Sequence, residues 1–222
     1  MHKAFTILEL LVVILVISIL SVMVAQRLPD DHLRAAADQV ISHIRYTQHL
    51  AMIDNKYDPE VEDWYKERWQ IFFSKSSDTQ LGDAWAYTIF SDGFTHTGNP
   101  DPTEIAVNPE DHSKRLTGGY TSGASGIEYS DENATKALNI GRQYGIADVV
   151  FSNCGSTARR IAFDSTGRPY HGDLSNATSP YDKLLTTQCQ ISLCLTSCNT
   201  AQEDEKITIA VEAETGYVHV LR

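Results

Sequence analysis

The sequence has no H-E-x-x-H, no G-x-S-x-G, no Walker-type phosphate loop and no G-x-G-x-x-G. Zinc peptidases, serine hydrolases, P-loop NTPases and dinucleotide enzymes use those spacings to set a metal, a nucleophile or a phosphate among the groups that act on it. An enzyme of these classes is therefore not expected. Basic residues are scarce, 18 Lys+Arg against 29 Asp+Glu, for a net charge of −11. Nucleic acid and anionic lipid heads need cations to neutralise phosphates, so this balance disfavours nucleic acid as a partner. A local basic patch would have to come from Arg142, Arg159, Arg160 and Arg168, two of which flank one strand and turn. The eight histidines (His2, His32, His43, His49, His96, His112, His171, His219) form no close pair at helical or hairpin spacing. Acids cluster at Asp54–Asp63 and Asp101–Asp111 without the spacing of an EF-hand, so neither a metal nor another cofactor is expected. No repeat of 20–50 residues is visible.

There is also no second apolar run of membrane length; the one such run is Phe5–Val24. It is dominated by Phe, Ile, Leu and Val, and its one charge is Glu9. Twenty residues at about 1.5 Å rise make about 30 Å, the thickness of a bilayer's hydrocarbon core. The apolar residues favour insertion by about 5–9 kcal/mol, against about 2.5–3.5 for one charge near a helix centre. A carboxylate in such a run has no partner in hydrocarbon, so it marks a function. A positive charge at the same depth on a neighbouring helix would supply one. A cleaved secretory signal would have a shorter apolar run and an A-x-A-like site after it. A plain signal anchor usually lacks an acid this early. Lys3 precedes the run while Arg27 and Arg34 follow it, so the charge bias leaves its orientation open.

The stretch Lys3-Ala-Phe-Thr-Ile-Leu-Glu-Leu-Leu11 resembles the prepilin signal of type IV pilins and type II secretion pseudopilins. The resemblance implies removal of a short basic leader between Ala4 and Phe5 and N-methylation of Phe5. It makes Glu9 the fifth mature residue. This chain carries Ala4 where the family usually has Gly. In the family, Glu9 of one subunit would dock on the Phe5 amine of the next.

Downstream, Pro29 ends or kinks the first helix. Leu33, Ala36, Ala37, Val40, Ile41, Ile44, Thr47 and Ala51 fall at helical spacing, which predicts an amphipathic helix packed on a sheet. Aromatic and β-branched runs predict strands at 69–73 and 85–90. Further strands are expected at 104–107, 127–130, 137–140, 146–151, 160–164, 190–195, 207–212 and 217–221. Residues 91–126 are turn-rich and read as a long loop insertion.

The expected fold class is α+β: a long N-terminal helix, membrane half plus amphipathic half, packed on an antiparallel β-sandwich-like domain. The parts are a leader at 1–4, a transmembrane or filament-core helix at 5–28, its amphipathic continuation at 29–54 and a periplasmic β-rich domain at 55–222. The order of helix, Trp69-Gln-Ile71, Arg160-Ile-Ala-Phe-Asp-Ser-Thr-Gly-Arg-Pro169 and a closing hairpin with Thr215-Gly-Tyr217 is similar to H-type minor pseudopilins and related minor pilins. That resemblance implies a structural subunit of a type II secretion pseudopilus or type IV pilus. Its partners would be other pilin or pseudopilin subunits through the N-terminal helix, a prepilin peptidase, and the bacterial inner membrane before assembly. The place implied is a single-pass inner-membrane protein with its globular domain in the periplasm. The rival expectation is a membrane-anchored periplasmic binding or sensor domain that does not polymerise.

Four cysteines, Cys154, Cys189, Cys194 and Cys198, lie in the C-terminal third without a C-x-x-C pair, which argues against a zinc ribbon or a thioredoxin motif. An even number outside the cytoplasm favours two disulfides. Three connectivities are possible. Cys189 shares strand parity with Ile191 and Leu193, and Cys154 follows the apolar strand Val149-Val-Phe151, so the parity favours Cys154–Cys189. Cys194–Cys198 then requires the strand to turn between them.

Overall fold

The computed structural model describes residues 7–25, 28–79, 81–93, 95–122, 125–155 and 158–221. The long N-terminal helix expected from the sequence, membrane half plus amphipathic half, is not borne out. Two helices take its place, α1 (Ile7–Ala25) and α2 (Leu28–Ile53). Pro29 has no N–H to give the carbonyl four residues earlier, so a continuous helical hydrogen-bond ladder is interrupted there, while the first turn of a new helix tolerates it. Among the described residues no helix is long and apolar enough to cross a membrane. The expected membrane half of the helix, and with it single-pass anchoring in an inner membrane, is thereby corrected.

The remainder is built of small antiparallel sheets. A long hairpin of β1 (Trp69–Asp78) and β2 (Gly82–Ser91) pairs Trp69 with Ser91 at one end and Asp78 with Gly82 at the other. Strands β6 (Arg160–Phe163) and β7 (Pro169–His171) extend it to a four-stranded sheet in the order β2-β1-β6-β7. A second four-stranded sheet has the order β10-β9-β8-β5, from β5 (Asp148–Ser152), β8 (Cys189–Cys194), β9 (Lys206–Val211) and β10 (Val218–Val220). A short hairpin joins β3 (Tyr120–Ser122) to β4 (Ser125–Ile127).

The amphipathic stripe of α2 holds the two sheets to one core. Leu33, Ala36, Ala37, Val40, Ile41, Ile44, Thr47 and Ala51 are all buried. The apolar members of that stripe share one cluster with Ile71 and Phe73 of β1, Tyr87 and Ile89 of β2, Ile161 and Phe163 of β6, Ile191 and Leu193 of β8, and Ile209 and Val211 of β9. These strands each contribute alternate residues, as a period of two dictates. The intervening residues of the first sheet, Phe72 and Phe90, face the other way and pack with Ile105, Ile127 and Ala134.

That second packing changes the reading of residues 91–126. The segment is not a free loop but a cover sewn to the outer edge of β2. Ala106 N–H donates to Ile89 O, Ile89 N–H to Leu116 O, and Leu116 N–H to Ala106 O. The hydroxyls of Thr88 and Thr117 meet at 2.7 Å. A strand edge that would otherwise offer unpaired amides is thus closed. The strand expected at 137–140 is also corrected. Lys136–Leu138 form a 3-10 turn and Ile140–Tyr144 a short helix, α3. The Asn139 side chain accepts from Arg142 N–H at its start, and Gly145, at φ 77°, closes it in the left-handed conformation that favours glycine.

Two disulfides tie the second sheet. Cys154–Cys189 spans 35 residues and lies in the core, and Cys194–Cys198 spans 4. Cys154–Cys189 is the pair that strand parity favours, and the turn after β8 supplies the second. Two disulfides agree with an oxidising compartment outside the cytoplasm. In the chain-entropy account the longer loop stabilises by about 3–4 kcal/mol and the short one by about 2. Urea unfolding of paired variants tests this: Cys154→Ala with Cys189→Ala is expected to cost more than Cys194→Ala with Cys198→Ala, and the reverse order would refute the assignment of the longer bridge to the core.

Candidate functional site

Of the residues the sequence singles out for processing and assembly, Ala4 and Phe5 lie outside the described residues. Glu9 lies in the first turn of α1, where a carboxylate favours the positive end of the helix dipole. Its neighbours are apolar on every side of the helix. Among the large hydrophobics from Ile7 to Ile19 the least exposed is Val13, at 45 %. The polar Ser18 turns its hydroxyl inward on its own helix, donating to Ile14 O at 2.8 Å. The contrast with α2 is one of pattern. There, apolar residues recur on one stripe and the stripe is buried, whereas α1 is apolar all round and has no single face to bury. A helix of that kind is stable only when covered from several directions, and its exposed surface marks an interaction site.

A second polar centre lies under the first sheet. Arg160 of β6 is 5 % exposed, and its guanidinium carbon sits 4.0 Å from the centre of the Phe72 ring. It donates to Gly98 O and lies 3.6 Å from Asp173 Oδ1. Burial pulls the Arg160 pKa below its ordinary value, with Asp173 opposing; a guanidinium stays charged nonetheless. Asp92, just past β2, is fully buried. Gly98 N–H donates to its Oδ2 at 2.9 Å, while Oδ1 has no hydrogen-bond partner among the described residues. Burial raises the Asp92 pKa to about 6, the Gly98 bond and Arg160 opposing, Glu104 and Asp173 adding to the rise. Glu104 itself accepts from Gly93 N–H at 2.6 Å and Asp101 N–H at 3.0 Å. The centre fastens the 92–104 segment to β6 and to the 3-10 turn at Leu174–Asn176.

The four arginines considered for a basic patch are each used within the fold. Arg142 donates to the carbonyls of Leu81 and Gly82, Arg159 Nε to Val149 O, and Arg168 pairs with Asp164 at 2.8 Å; Arg160 is buried. Among the described residues no group of three or more His, Cys, Asp or Glu is arranged to hold a metal. Sequence reading missed the Asp92–Arg160 centre. Its members stand far apart along the chain, and only the close of a strand before Asp92 hinted at a turn. Comparison of the chain with family models, with curated proteins and with solved structures finds no match.

Asp92 gives a pH dependence with a definite sign. Its folded pKa of about 6 lies above its ordinary 3.8, so its proton is bound more tightly in the folded state. The stability it contributes is full below about pH 4 and is lost as pH rises through 6. Chemical unfolding of wild type and Asp92→Asn across pH 4–8 should therefore show the variant gaining on wild type between pH 4 and 6.5. Parallel curves would contradict the assignment.

Proposed function

We propose that the chain is a structural, non-enzymatic subunit of a pilin-like assembly, a minor pseudopilin or pilin that joins its neighbours through α1. The observation that carries this reading is the all-round apolar exposure of α1 with one carboxylate, Glu9, in its first turn. Burying a Leu, Ile or Val side chain favours association by about 1.5–3 kcal/mol. Neighbouring helices that cover several of them outweigh an association cost on the order of 4–15 kcal/mol. The residue types match this role. Leu, Ile and Val pack without polar demands, and the one carboxylate sets register, because a charge in an apolar bundle is tolerated only when paired.

The pairing partner is the α-amino group of Phe5 on an adjacent subunit, set free by cleavage after Ala4. The prepilin-like stretch around that cut supports this step, and the two disulfides agree with a subunit that works outside the cytoplasm. The β-rich part, fastened to α2, forms the outer surface of the assembly, while α1 enters its core. Other pilin or pseudopilin subunits are the partners, and a prepilin peptidase is the processing enzyme.

Two measurements test this. Intact-mass spectrometry of the protein from a host with an active prepilin peptidase should give a chain lacking Met1–Ala4 and carrying one added methyl group; a full-length mass would refute the processing step. Glu9→Ala should leave cleavage intact, since the carboxylate is not at the cut, but lower recovery of the subunit with sheared filaments by about tenfold or more, as expected for loss of one charge-assisted pair in an apolar setting. Wild-type recovery of Glu9→Ala would count against the pairing role.

A further inference from the structure

A groove of about 370 Å³ runs between the flank of α2 and the cover segment, apart from α1 and from the disulfides. Gln39, His43 and Tyr46 line it from α2, Glu110 stands on the opposite wall, and Leu116 and Leu138 contribute apolar wall. Its polar side is built by a chain of hydrogen bonds with a fixed direction. Tyr144 Oη donates to Gln39 Oε1 at 2.7 Å. Gln39 Nε2 donates to Ala137 O at 2.9 Å and to Tyr87 Oη at 2.8 Å. The carbonyl of Ala137 can only accept, which fixes the amide's orientation. Tyr87 is fully buried, and its one hydroxyl hydrogen is left for His43 Nδ1, 2.5 Å away. An imidazole that accepts at Nδ1 carries its proton on Nε2. His43 is thus held as a neutral ring whose Nε2–H has no hydrogen-bond partner among the described residues. Burial, which lowers the His43 pKa against the pull of Glu110, keeps it so.

Among the described lining residues there is no lysine or arginine, and Glu110 is the one formal charge. Glu110 is exposed and enters no ion pair among the described residues; its backbone N–H is taken by Asn108 Oδ1. A carboxylate, an N–H donor and two leucines in one lining make a definite set of demands. The charge asks for a cation, the walls ask for a methylene stem, and the His43 N–H asks for an acceptor such as an amide carbonyl. Anions are disfavoured by Glu110 with no compensating cation. The volume is at the small end of ligand sites, enough for one such side chain.

We propose that this groove binds a primary alkylammonium group on a short aliphatic stem, with Glu110 pairing the ammonium and His43 Nε2–H donating to a carbonyl on the same ligand. A lysine side chain of another protein carries both groups, whereas a free diamine carries the ammonium without the carbonyl. The test is calorimetric titration of the full chain with Nα-acetyl-lysine amide, 1,5-diaminopentane and sodium butyrate, with the His43 ring resonances followed by NMR. Saturable binding of either amine that moves the His43 resonances and weakens about tenfold or more in Glu110→Gln supports the site, as loss of a charge-assisted bond predicts. Tighter binding of the lysine amide than of the diamine supports the His43 contact, because only the lysine amide carries a carbonyl beside its ammonium; diamine binding as tight or tighter overturns that contact. Amine binding unchanged in Glu110→Gln, butyrate binding as strong as the amines, or no saturable shift overturns the proposal. Glu110 is exposed and its side chain supports no other bond among the described residues, so the variant is expected to fold.

Discussion

One contact organises the molecule: the stripe of α2 from Leu33 to Ala51 laid against both four-stranded sheets. Neither sheet could hide its apolar face alone. Each has four strands, and each leaves alternate residues such as Phe73, Phe163, Ile191 and Val211 needing cover. The stripe answers both at once. Its small residues, Ala36, Ala37 and Ala51, let strands come close, while Val40, Ile41 and Ile44 fill the space between them. Everything else follows from keeping that contact in place. The Cys154–Cys189 bridge pins the second sheet beneath it, and the cover segment closes the back of the first.

With α2 committed inward, α1 is left to the outside. The two helices adjoin in sequence and differ in physics. The first carries apolar residues at every angle, and the second carries them at every third or fourth position. That difference divides the molecule into a folded body that satisfies itself and an apolar rod that does not. The polar centres of the body are local fasteners. Arg160 and Asp92 hold the 92–104 segment, and Asp164 gathers hydrogen bonds from Thr166, Arg168 and Tyr170 in its own turn. Burial works to raise the Asp164 pKa, but the bonds from Thr166 and Arg168 prevail and hold it below its ordinary value.

Much of the body could be read before any coordinates. The α2 stripe follows from helical spacing alone, because a period of 3.6 over so many turns leaves few alternatives. The strands at 69–73, 85–90, 160–164, 190–195 and 207–212 follow from β-branched and aromatic runs, and strand parity places Cys189 in the core. Short apolar runs are where such reading fails. Ala137–Ile140 has strand-like residues but becomes a 3-10 turn and a helix, and the signal was in its flanks, an Asn cap and Gly145 five residues on. The membrane half of the N-terminal helix was over-read from hydropathy, while Pro29, read as an end or kink, stands in the first turn of α2. Residues 91–126 looked like a loop since turn residues hide isolated bridges, whose partners Ile89, Thr88 and Phe90 lie on another strand. The chain Tyr144–Gln39–Tyr87–His43 was invisible for a similar reason. It joins residues far apart in sequence, and no spacing rule connects them.

The central claim is that the apolar surface of α1 is covered by helices of neighbouring subunits. The most direct measurement is oxidative crosslinking in sheared assemblies of a chain with one added cysteine in the middle of that surface, Leu11→Cys or Leu15→Cys, with a matching cysteine in the neighbouring subunit's helix. The account predicts a crosslinked pair that forms in the assembly and not in the dispersed subunit. Cysteines that remain open to an added thiol reagent in the assembly, with no crosslinked pair at either position, would contradict it.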